Sequence, residues 1–275
     1  MVSAEHDGLD DGLDVVEDGP VLRLTLTRAK AGNAINNAVM SGLLSALGQA
    51  ARSDEVRVIA LTAQGRNFCT GIDLAEANDP AAQPTTRPRA GYIQRRINLG
   101  AHHLVRAFAD LQLPVVVGVR GWVAGLGNSL ALLSDYIVAS ETAKFWTPFV
   151  GRGFTPDSAS SYLLPRLIGL PRAKEMILLG RPVDAAKAER WGMVNELVPD
   201  GELEQRVEVA VQEFARAATA SVGLAKALVH RNLDADLPQA LVQEGLMEEV
   251  SLRSADFKEG IASLMQKRDP DYTGR

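Results

Sequence analysis

Two glycine-rich turns contain the backbone groups of this sequence that are best suited to stabilise a negative charge. One turn reads GRNFCTGIDL (65–74) and follows the apolar stretch 56–63, and the other reads GWVAGLGNSLALLSD (121–135) and follows the apolar stretch 114–120. Each turn leads into a predicted helix, whose first N–H groups lack partners within the helix and favour negative charge. If the two turns converge, their N–H groups would form an oxyanion hole. Taken singly, each turn also fits an ordinary strand-to-helix connection.

The second turn comes close to a dinucleotide-binding motif, because GLGNSL (125–130) follows a predicted strand and nearly fits G-x-G-x-x-G. Leu130 stands where the third glycine would allow close packing of the helix on the strand. The acidic residue expected about 20 residues further on is also misplaced, since Asp135 comes too early and Glu141 lies beyond the next strand. The pattern therefore argues against a dinucleotide-binding site.

Side chains that are suited to move protons are missing from the part of the second turn where the helix begins. The start of the helix after the second turn (127–130) offers no acid, no base and no strong nucleophile. Cys69 is the only cysteine, which excludes an internal disulfide and a multi-cysteine metal site. Its neighbours Phe68 and Thr70 favour a buried packing role over a nucleophilic one. No cluster of residues has metal-ligand spacing, so we predict no metal site.

Composition limits the classes of partner. The chain has 275 residues with 46% hydrophobic and 23% charged residues, which is typical of a globular protein with a sizeable core. Its net charge of −5 argues against nucleic acid or an anionic membrane as a general partner. The sequence shows no secretory signal and no run of 18 apolar residues that would span a membrane. We therefore expect a cytoplasmic location.

Hydrophobic periodicity predicts a mixed α/β chain. Leu22, Leu24 and Leu26 alternate with polar residues, which predicts a half-buried strand over 20–28. Further strands are predicted over 56–63, 114–120 and 135–140. Helices are predicted over 36–52 (with Asn36 as its cap), 92–111, 158–168, 172–179, 184–191, 202–218, 221–232, 236–251 and 255–266. Three prolines in 78–91 predict a surface loop.

The pattern divides the chain into three regions. Residues 1–18 carry seven acids and no Lys or Arg, which predicts a flexible, solvated lead-in. Residues 19–200 contain the predicted strands and form the α/β core. The sequence Pro-Asp-Gly at 199–201 marks the boundary with an all-helical region, 201–275, in which Val207, Ala210, Val211 and Phe214 form an apolar stripe that favours oligomerisation.

Five segments in order resemble the enoyl-CoA hydratase/isomerase (crotonase) family. They read TRAKAGNAIN (27–36), VRVIALTAQGRNFCTGIDL (56–74), PVVVGVRGWVAGLGNSLALLSDYIVAS (114–140), LLPRLIGLPRAKEMILLGRPVDAAKAERWGMVNELVP (163–199) and DFKEGIASLMQKRDP (256–270). The resemblance implies a crotonase-like spiral of β-β-α turns with a helical C-terminal trimerisation region. It also implies a homotrimer or a dimer of trimers that acts on an acyl-CoA thioester, with coenzyme A as part of the substrate and no further cofactor.

The resemblance places specific residues along the bound CoA ester. The two oxyanion N–H groups fall on Ile72 and Leu126, where a backbone donor tolerates any side chain. The turn continues with Asp73 and Leu74, which the resemblance groups with Ile72 as CoA-binding, although Asp73 also fits a helix cap. Lys30 matches a position near the CoA phosphates, and Lys267 matches a lysine that reaches CoA from a neighbouring subunit. Both lysines also fit simple surface positions.

The two glutamates that the family's hydratases use are replaced here by Ser129 and Phe149. A serine without a partner does not replace a carboxylate as a base, so the hydroxyl of Ser129 is more consistent with a hydrogen bond at the start of its helix. Asp157 matches the aspartate that some relatives, such as dienoyl-CoA isomerases, place beside the acyl group. Because Asp157 follows Pro156 before a predicted helix, an N-cap role competes with the catalytic one.

We therefore expect a single-acid enzyme that isomerises an enoyl-CoA or carries out a related step, with isomerase or lyase chemistry in place of two-glutamate hydration. A non-catalytic acyl-CoA binding protein on the same scaffold is the alternative, because both usual acids are absent. The pattern favours solvated histidines at 102 and 103, which are the next candidates for proton transfer if Asp157 does not act. Trp122, Trp146 and Trp191 are interpreted as packing residues. The aromatic residues expected around Asp157 favour an apolar acyl group, whose chain length and ring content stay open.

Overall fold

The computed structural model describes residues 12–82 and 84–275, which form a mixed α/β fold. The strands are β1 Leu13–Asp18, β2 Val21–Leu26, β3 Val58–Ala63, β4 Val115–Val119, β5 Trp122–Ala124, β6 Tyr136–Ser140, β7 Lys144–Trp146, β8 Val183–Asp184 and β9 Glu196–Val198. The helices are α1 Asn37–Ala50, α2 Leu74–Ala77, α3 Tyr92–Leu99, α4 Ala101–Ala109, α5 Leu126–Leu133, α6 Ser160–Leu179, α7 Ala185–Trp191, α8 Leu203–Arg216, α9 Thr219–Asn232, α10 Leu237–Ser251 and α11 Ala255–Gln266. No helix of these residues is long and apolar enough to cross a membrane.

The strands form two sheets that share successive turns of the chain. The larger sheet has the order β1-β2-β3-β4-β6-β9 and is parallel except for β1, and the smaller has the order β5-β7-β8. In the middle of the chain β4, β5 and α5 form one turn, and β6, β7 and α6 form the next, so each turn gives one strand to each sheet. This is the repeating β-β-α arrangement that the resemblance implies.

Each face of the larger sheet is covered by apolar packing. Leu22, Leu24 and Leu26 on β2 belong to the main core, as their alternation predicts. The opposite face packs against α8, where Val207 and Val211 are buried beside strand residues. The prediction that the α8 stripe is free for oligomerisation is therefore wrong for these residues, because the sheet of the same chain covers them.

The polar side of β2 also faces α8. Arg23 donates hydrogen bonds to Glu208 at 2.8 Å and 3.1 Å, and this contact lowers the pKa of the Glu208 carboxyl and raises that of Arg23. The ion pair therefore joins the first helix of the C-terminal region to the sheet. The proposed domain boundary at 201 stays a prediction, but α8 packs as part of the core.

The start of the described chain differs from the predicted lead-in. Residues 13–18 form β1, which pairs with β2 in an antiparallel register from Leu13 opposite Leu26 to Asp18 opposite Val21. All of β1 after Leu13 is exposed, which suits the edge of a sheet. An edge strand pairs through its backbone on one side only. The acidic side chains of β1 can therefore stay in solvent while the strand pairs with β2. Residues 1–11 of the predicted lead-in lie outside the described residues.

Two predicted helices are interrupted at glycines. The single helix predicted over 92–111 is α3 and α4, because Gly100 between them has φ −101° and ψ −104° and leaves the helical conformation. In α6 the backbone at Gly169 is also non-helical, with φ +76°, so the helix has a kink where the prediction placed a break. At α1 the expected cap is confirmed, since Asn36 Oδ1 accepts from Val39 N–H at 2.9 Å.

Candidate active site

The two glycine turns lie side by side in the structure. A parallel bridge pairs Cys69 with Val123, in which Cys69 N–H donates to the Trp122 carbonyl at 2.9 Å and Ala124 N–H donates to the Cys69 carbonyl at 2.8 Å. The bridge precedes Ile72 and Leu126 by three residues each. It therefore brings the starts of α2 and α5 to the same place, as convergence of the turns requires.

Glycine at two positions allows the close approach of the turns. Gly71 has φ +99° and Gly125 has φ +54°, in the region that favours glycine. A Cβ added to Gly71 would lie 3.2 Å from the Ala124 carbonyl oxygen and 3.7 Å from the Leu126 nitrogen, and one on Gly125 would lie 3.6 Å from the Gly71 Cα. The backbones of the turns are thus in contact without an intervening side chain.

The N–H groups of Ile72 and Leu126 remain available to a ligand. Ile35 N–H donates to the Gly71 carbonyl at 2.8 Å and Asp73 N–H donates to the Ile35 carbonyl at 2.9 Å, so this pairing leaves out the N–H of Ile72. Leu126 is the first residue of α5, where no partner exists within the helix. Within residues 12–82 and 84–275 neither N–H has a hydrogen-bond acceptor in the chain, and both residues line one cavity.

The buried side chain of Cys69 packs against the backbone of both turns. It is fully buried, and Gly71 N–H donates to its Sγ at 3.4 Å. A Cβ on Gly127 would lie only 2.5 Å from the Cys69 Cβ, which shows how closely α5 packs on this side chain. Desolvation raises the pKa of the thiol to about 12, so it stays protonated at neutral pH. The predicted packing role of Cys69 is confirmed.

The cavity beside the turns has a volume of about 490 Å³, within the range of small-molecule sites. Of the residues predicted for the site, the cavity is lined by Ile72, Asp73, Leu74, Leu126, Phe149 and Asp157. These residues come from two turns and from the segment between β7 and α6. The fold thus brings together residues that are as far apart in sequence as 72 and 157.

Asp157 is half-buried in the cavity wall and is held by its neighbour. The buried Ser158 hydroxyl donates to Asp157 Oδ1 at 2.8 Å. The helix α6 begins only at Ser160, and no side chain caps its N-terminus. The N-cap interpretation of Asp157 is therefore wrong, because only its backbone carbonyl accepts a hydrogen bond from Ser160 N–H, at 3.0 Å.

The backbone directly after Asp157 is strained. Ser158 has φ +52° and Ala159 has φ +65°, and neither is a glycine. Such left-handed residues cost on the order of 1–3 kcal/mol each and are concentrated at functional sites. The conformations of these two residues set the direction in which the chain runs from Asp157 to the start of α6.

Ser129 and Phe149 are the residues for which the resemblance implies the positions of two glutamates. Ser129 is fully buried, does not line the cavity, and its hydroxyl lies 3.4 Å from Ser160 Oγ and 3.5 Å from the Gly125 carbonyl oxygen. The predicted contact at the start of its helix is confirmed. Phe149 is buried in the cavity wall and forms an edge-to-face pair with Phe154. Neither position supplies a carboxylate.

Asp73 is engaged by the protein itself. Its Oδ1 accepts from the N–H groups of Ala75 and Glu76 at the start of α2, and its Oδ2 accepts from Arg28 at 2.8 Å. The hydrogen bond from Arg28 lowers the pKa of the Asp73 carboxyl most, with the backbone donors adding to the effect. The cap interpretation is confirmed, and Leu74 beside it is exposed at the cavity.

The other predicted site residues lie outside the cavity lining. Lys30 is exposed in a short 3-10 helix, Ala29–Ala31, whose neighbour Gly32 packs against Thr70 on the cavity wall. Lys267 is exposed at the end of α11, with φ +54°. The histidines at 102 and 103 lie on α4 and do not line the cavity. In the part of the chain that the structure describes, no cluster of three or more metal-binding side chains occurs.

Several cavity residues were not predicted. Trp122 and Trp146 line the cavity with ring centroids 5.2 Å apart, so their interpretation as packing residues alone is wrong. Arg152 lies over the Trp146 ring at 4.8 Å, and Arg96 comes from α3. Glu76 also lines the cavity and accepts from Asn37 N–H at 2.9 Å. The aromatic residues between 145 and 154, which are expected around Asp157 from the sequence, form part of the same cavity lining.

Comparison with known sequences gives one consistent result. Residues 17–275 match the family model described as enoyl-CoA hydratase/isomerase. The 1,2-epoxyphenylacetyl-CoA isomerase of Escherichia coli (strain K12) is 35% identical over 263 residues, which cover 96% of this chain and 98% of that protein. The 2,3-dehydroadipyl-CoA hydratase of the same organism is 32% identical over 259 residues, which cover 93% of this chain and 96% of that protein.

Solved structures share the fold. The crystal structure of an enoyl-CoA hydratase/isomerase from Cupriavidus metallidurans CH34 matches with a TM-score of 0.88 and 28% sequence identity. The match covers 98% of each chain. The spiral sheets and the helical C-terminal region are therefore common to both proteins.

Proposed function

Because the chain belongs to the enoyl-CoA hydratase/isomerase family, we propose that it isomerises a double bond of an acyl-CoA thioester through a single carboxylate, Asp157. The observation that carries the proposal is the composition of one cavity. The unpaired N–H groups of Ile72 and Leu126 and the carboxylate of Asp157 lie on its wall, while the two glutamate positions hold Ser129 and Phe149.

The other carboxylates on the cavity wall are less suited to move a proton. Asp73 is paired with Arg28 and caps α2. Glu76 accepts from Asn37 N–H at the start of α1, where the helix dipole favours its charge. Asp157 forms no ion pair and accepts a side-chain hydrogen bond only from Ser158 within residues 12–82 and 84–275. Its second carboxylate oxygen is thus available to the substrate.

The chemistry follows from these positions. The thioester oxygen would accept from Ile72 N–H and Leu126 N–H, which stabilise the enolate that forms when a proton leaves carbon. Asp157 would take that proton from C2, which lies between the thioester and the original double bond, and would return it to C4, the far carbon of the original double bond, so that the new double bond joins C2 and C3. The double bond shifts by one position and no atom is gained or lost. Hydration would in addition require a second group to hold and activate water.

The relatives include enzymes named for both reactions. One protein that is 35% identical bears the name of an isomerase, and one that is 32% identical bears the name of a hydratase. The absence of a carboxylate at positions 129 and 149 favours isomerisation. A non-catalytic binding protein remains the alternative function.

A product assay distinguishes these functions. We expect the protein to convert trans-3-hexenoyl-CoA to trans-2-hexenoyl-CoA, followed by the absorbance of the conjugated thioester and by mass spectrometry. The product has the same mass as the substrate, whereas a hydratase product is heavier by one water. Saturable binding without any product would instead identify a binding protein, and a 3-hydroxyacyl product would identify a hydratase.

We further propose that the protein forms a homotrimer or a dimer of trimers through its C-terminal helices. One side of α10 presents uncovered apolar side chains at i, i+4 and i+8 spacing, with Val242, Leu246 and Val250 each more than half exposed. Exposed apolar surface of this kind is typical of a protein–protein contact. The cavity-distant position of Lys267 fits a lysine that would complete the site of another subunit.

Replacing Lys267 with Ala should weaken the binding of hexanoyl-CoA about 10-fold, because a phosphate loses one charge-assisted contact. The assembly should keep its mass in analytical ultracentrifugation. Lys258→Ala, an exposed lysine on the same helix, is the matched control and should bind normally. A monomer at micromolar concentration, or equal affinities of all three proteins, would contradict the proposal.

A further inference from the structure

Aromatic side chains form one wall of the cavity. Trp122 and Trp146 lie with their ring centroids 5.2 Å apart at 43°, and Phe149 and Phe154 lie 5.6 Å apart at 78°. All four residues line the cavity, although aromatic residues make up only 5% of the chain. Such a concentration of rings at one site requires a physical reason.

These rings lie on the side of the cavity that would hold the acyl group. The Trp146 carbonyl accepts from Gly125 N–H at 3.0 Å, directly before the proposed donor Leu126. Phe149 and Phe154 belong to the segment that ends in Asp157, and Phe154 N–H donates to the Phe149 carbonyl at 3.3 Å. The aromatic wall therefore flanks both the proposed thioester donor and the proposed base.

The wall leaves ring surface available to a ligand. Phe149 is 5% exposed and is held in the wall, but Phe154 is 45% exposed beside it. Edge-to-face and offset contacts are the favoured arrangements of aromatic rings. The cavity lining also includes the non-aromatic apolar side chains of Met40, Ile93 and Ile97. A straight alkyl chain would need only such aliphatic contacts, whereas a planar ring would also use the exposed faces and edges.

We infer that the acyl group of the substrate carries a planar, unsaturated ring. The inference rests on the proposed function only in placing the acyl group beside Asp157 and Leu126. A phenyl-sized ring on a short linker to the thioester is small enough for a cavity of about 490 Å³. A ring contact with Phe154 adds roughly 3- to 10-fold in affinity beyond the burial of apolar area.

Calorimetric titration with thioesters that lack an isomerisable double bond tests the inference without turnover. Phenylacetyl-CoA and octanoyl-CoA have the same number of acyl carbons, and burial of area alone favours the longer, fully aliphatic chain. We expect the wild-type protein to bind phenylacetyl-CoA about 3- to 10-fold more tightly. Phe154→Leu keeps an apolar side chain and should abolish this preference.

The control is Phe214→Leu, a half-buried phenylalanine on α8 outside the cavity lining, which should keep the wild-type ratio. Equal or tighter binding of octanoyl-CoA by the wild-type protein, or a ratio that Phe154→Leu leaves unchanged, would overturn the inference. Cyclohexylacetyl-CoA that binds as tightly as phenylacetyl-CoA would also overturn it, since a saturated ring has no π face. Because none of these ligands reacts, failure of the isomerase proposal would leave the binding ratios interpretable.

Discussion

Asp157→Asn should reduce turnover at least about 100-fold while the affinity for the CoA ester changes less than about threefold, as for a group that acts in the transition state. The amide has the size of the carboxyl group and its oxygen can still accept from the Ser158 hydroxyl. It cannot accept a proton from carbon. Since Asp157 does not cap α6, the free energy of unfolding should change by less than about 1 kcal/mol.

The measurements are kcat and KM on a confirmed substrate, calorimetric affinity for a saturated thioester, and thermal unfolding of both proteins. Glu76→Gln is the matched variant, because Glu76 is the other carboxylate on the cavity wall that forms no ion pair within the described residues. It should keep turnover within about 10-fold of the wild type. Wild-type turnover in Asp157→Asn would refute the single-acid mechanism, and a large loss in Glu76→Gln alone would transfer the role to Glu76.

Ile72→Pro should lower turnover about 100- to 1,000-fold, because proline removes one of the two proposed oxyanion donors. The Ile72 N–H has no acceptor within residues 12–82 and 84–275, so its loss breaks no hydrogen bond of the fold. The flanking bonds, from Ile35 N–H to the Gly71 carbonyl and from Asp73 N–H to the Ile35 carbonyl, use other atoms. The effect should therefore fall on the transition state.

Ile72→Ala is the control for the side chain, since it keeps the backbone N–H. It should retain turnover within about 10-fold and change the preference among acyl groups, because Ile72 lines the cavity. Circular dichroism and thermal unfolding verify that the proline variant is folded. Full activity of a folded Ile72→Pro protein would exclude its N–H from the oxyanion hole.

Sequence patterns predicted those elements whose burial has a clear period. The alternation on β2 and the cap of α1 are both present in the structure. The strands β5, β7, β8 and β9 were not predicted, because two or three residues do not complete a period. The edge strand β1 was interpreted as a lead-in since its residues after Leu13 are exposed, and exposed residues leave no hydrophobic pattern.

The site was predictable to a similar extent. The turns around Ile72 and Leu126 follow from glycines and helix starts, and the bridge between Cys69 and Val123 confirms that they meet. The sequence did not predict that the Asp157 side chain leaves α6 uncapped, because Ser158 and Ala159 adopt left-handed conformations that their residue types do not favour. The contribution of Trp122 to the cavity wall did not follow either. Whether a tryptophan packs inward or lines a cavity depends on three-dimensional neighbours that no local pattern contains.

The bridge between Cys69 and Val123 makes this site sensitive to the number of residues between the bridge and each donor. It makes the site tolerant of side-chain variation at the donors. Both proposed donors lie a fixed three residues beyond the bridge. One inserted residue in either stretch would displace a donor by roughly 3 Å, more than a hydrogen bond tolerates. Gly71 and Gly125 touch through backbone alone, so no side chain adjusts their spacing. We therefore expect the proposed site to keep its geometry when side chains at 72, 126 and 149–154 are substituted, whereas insertions and deletions should be tolerated only in segments such as the exposed loop at 84–91.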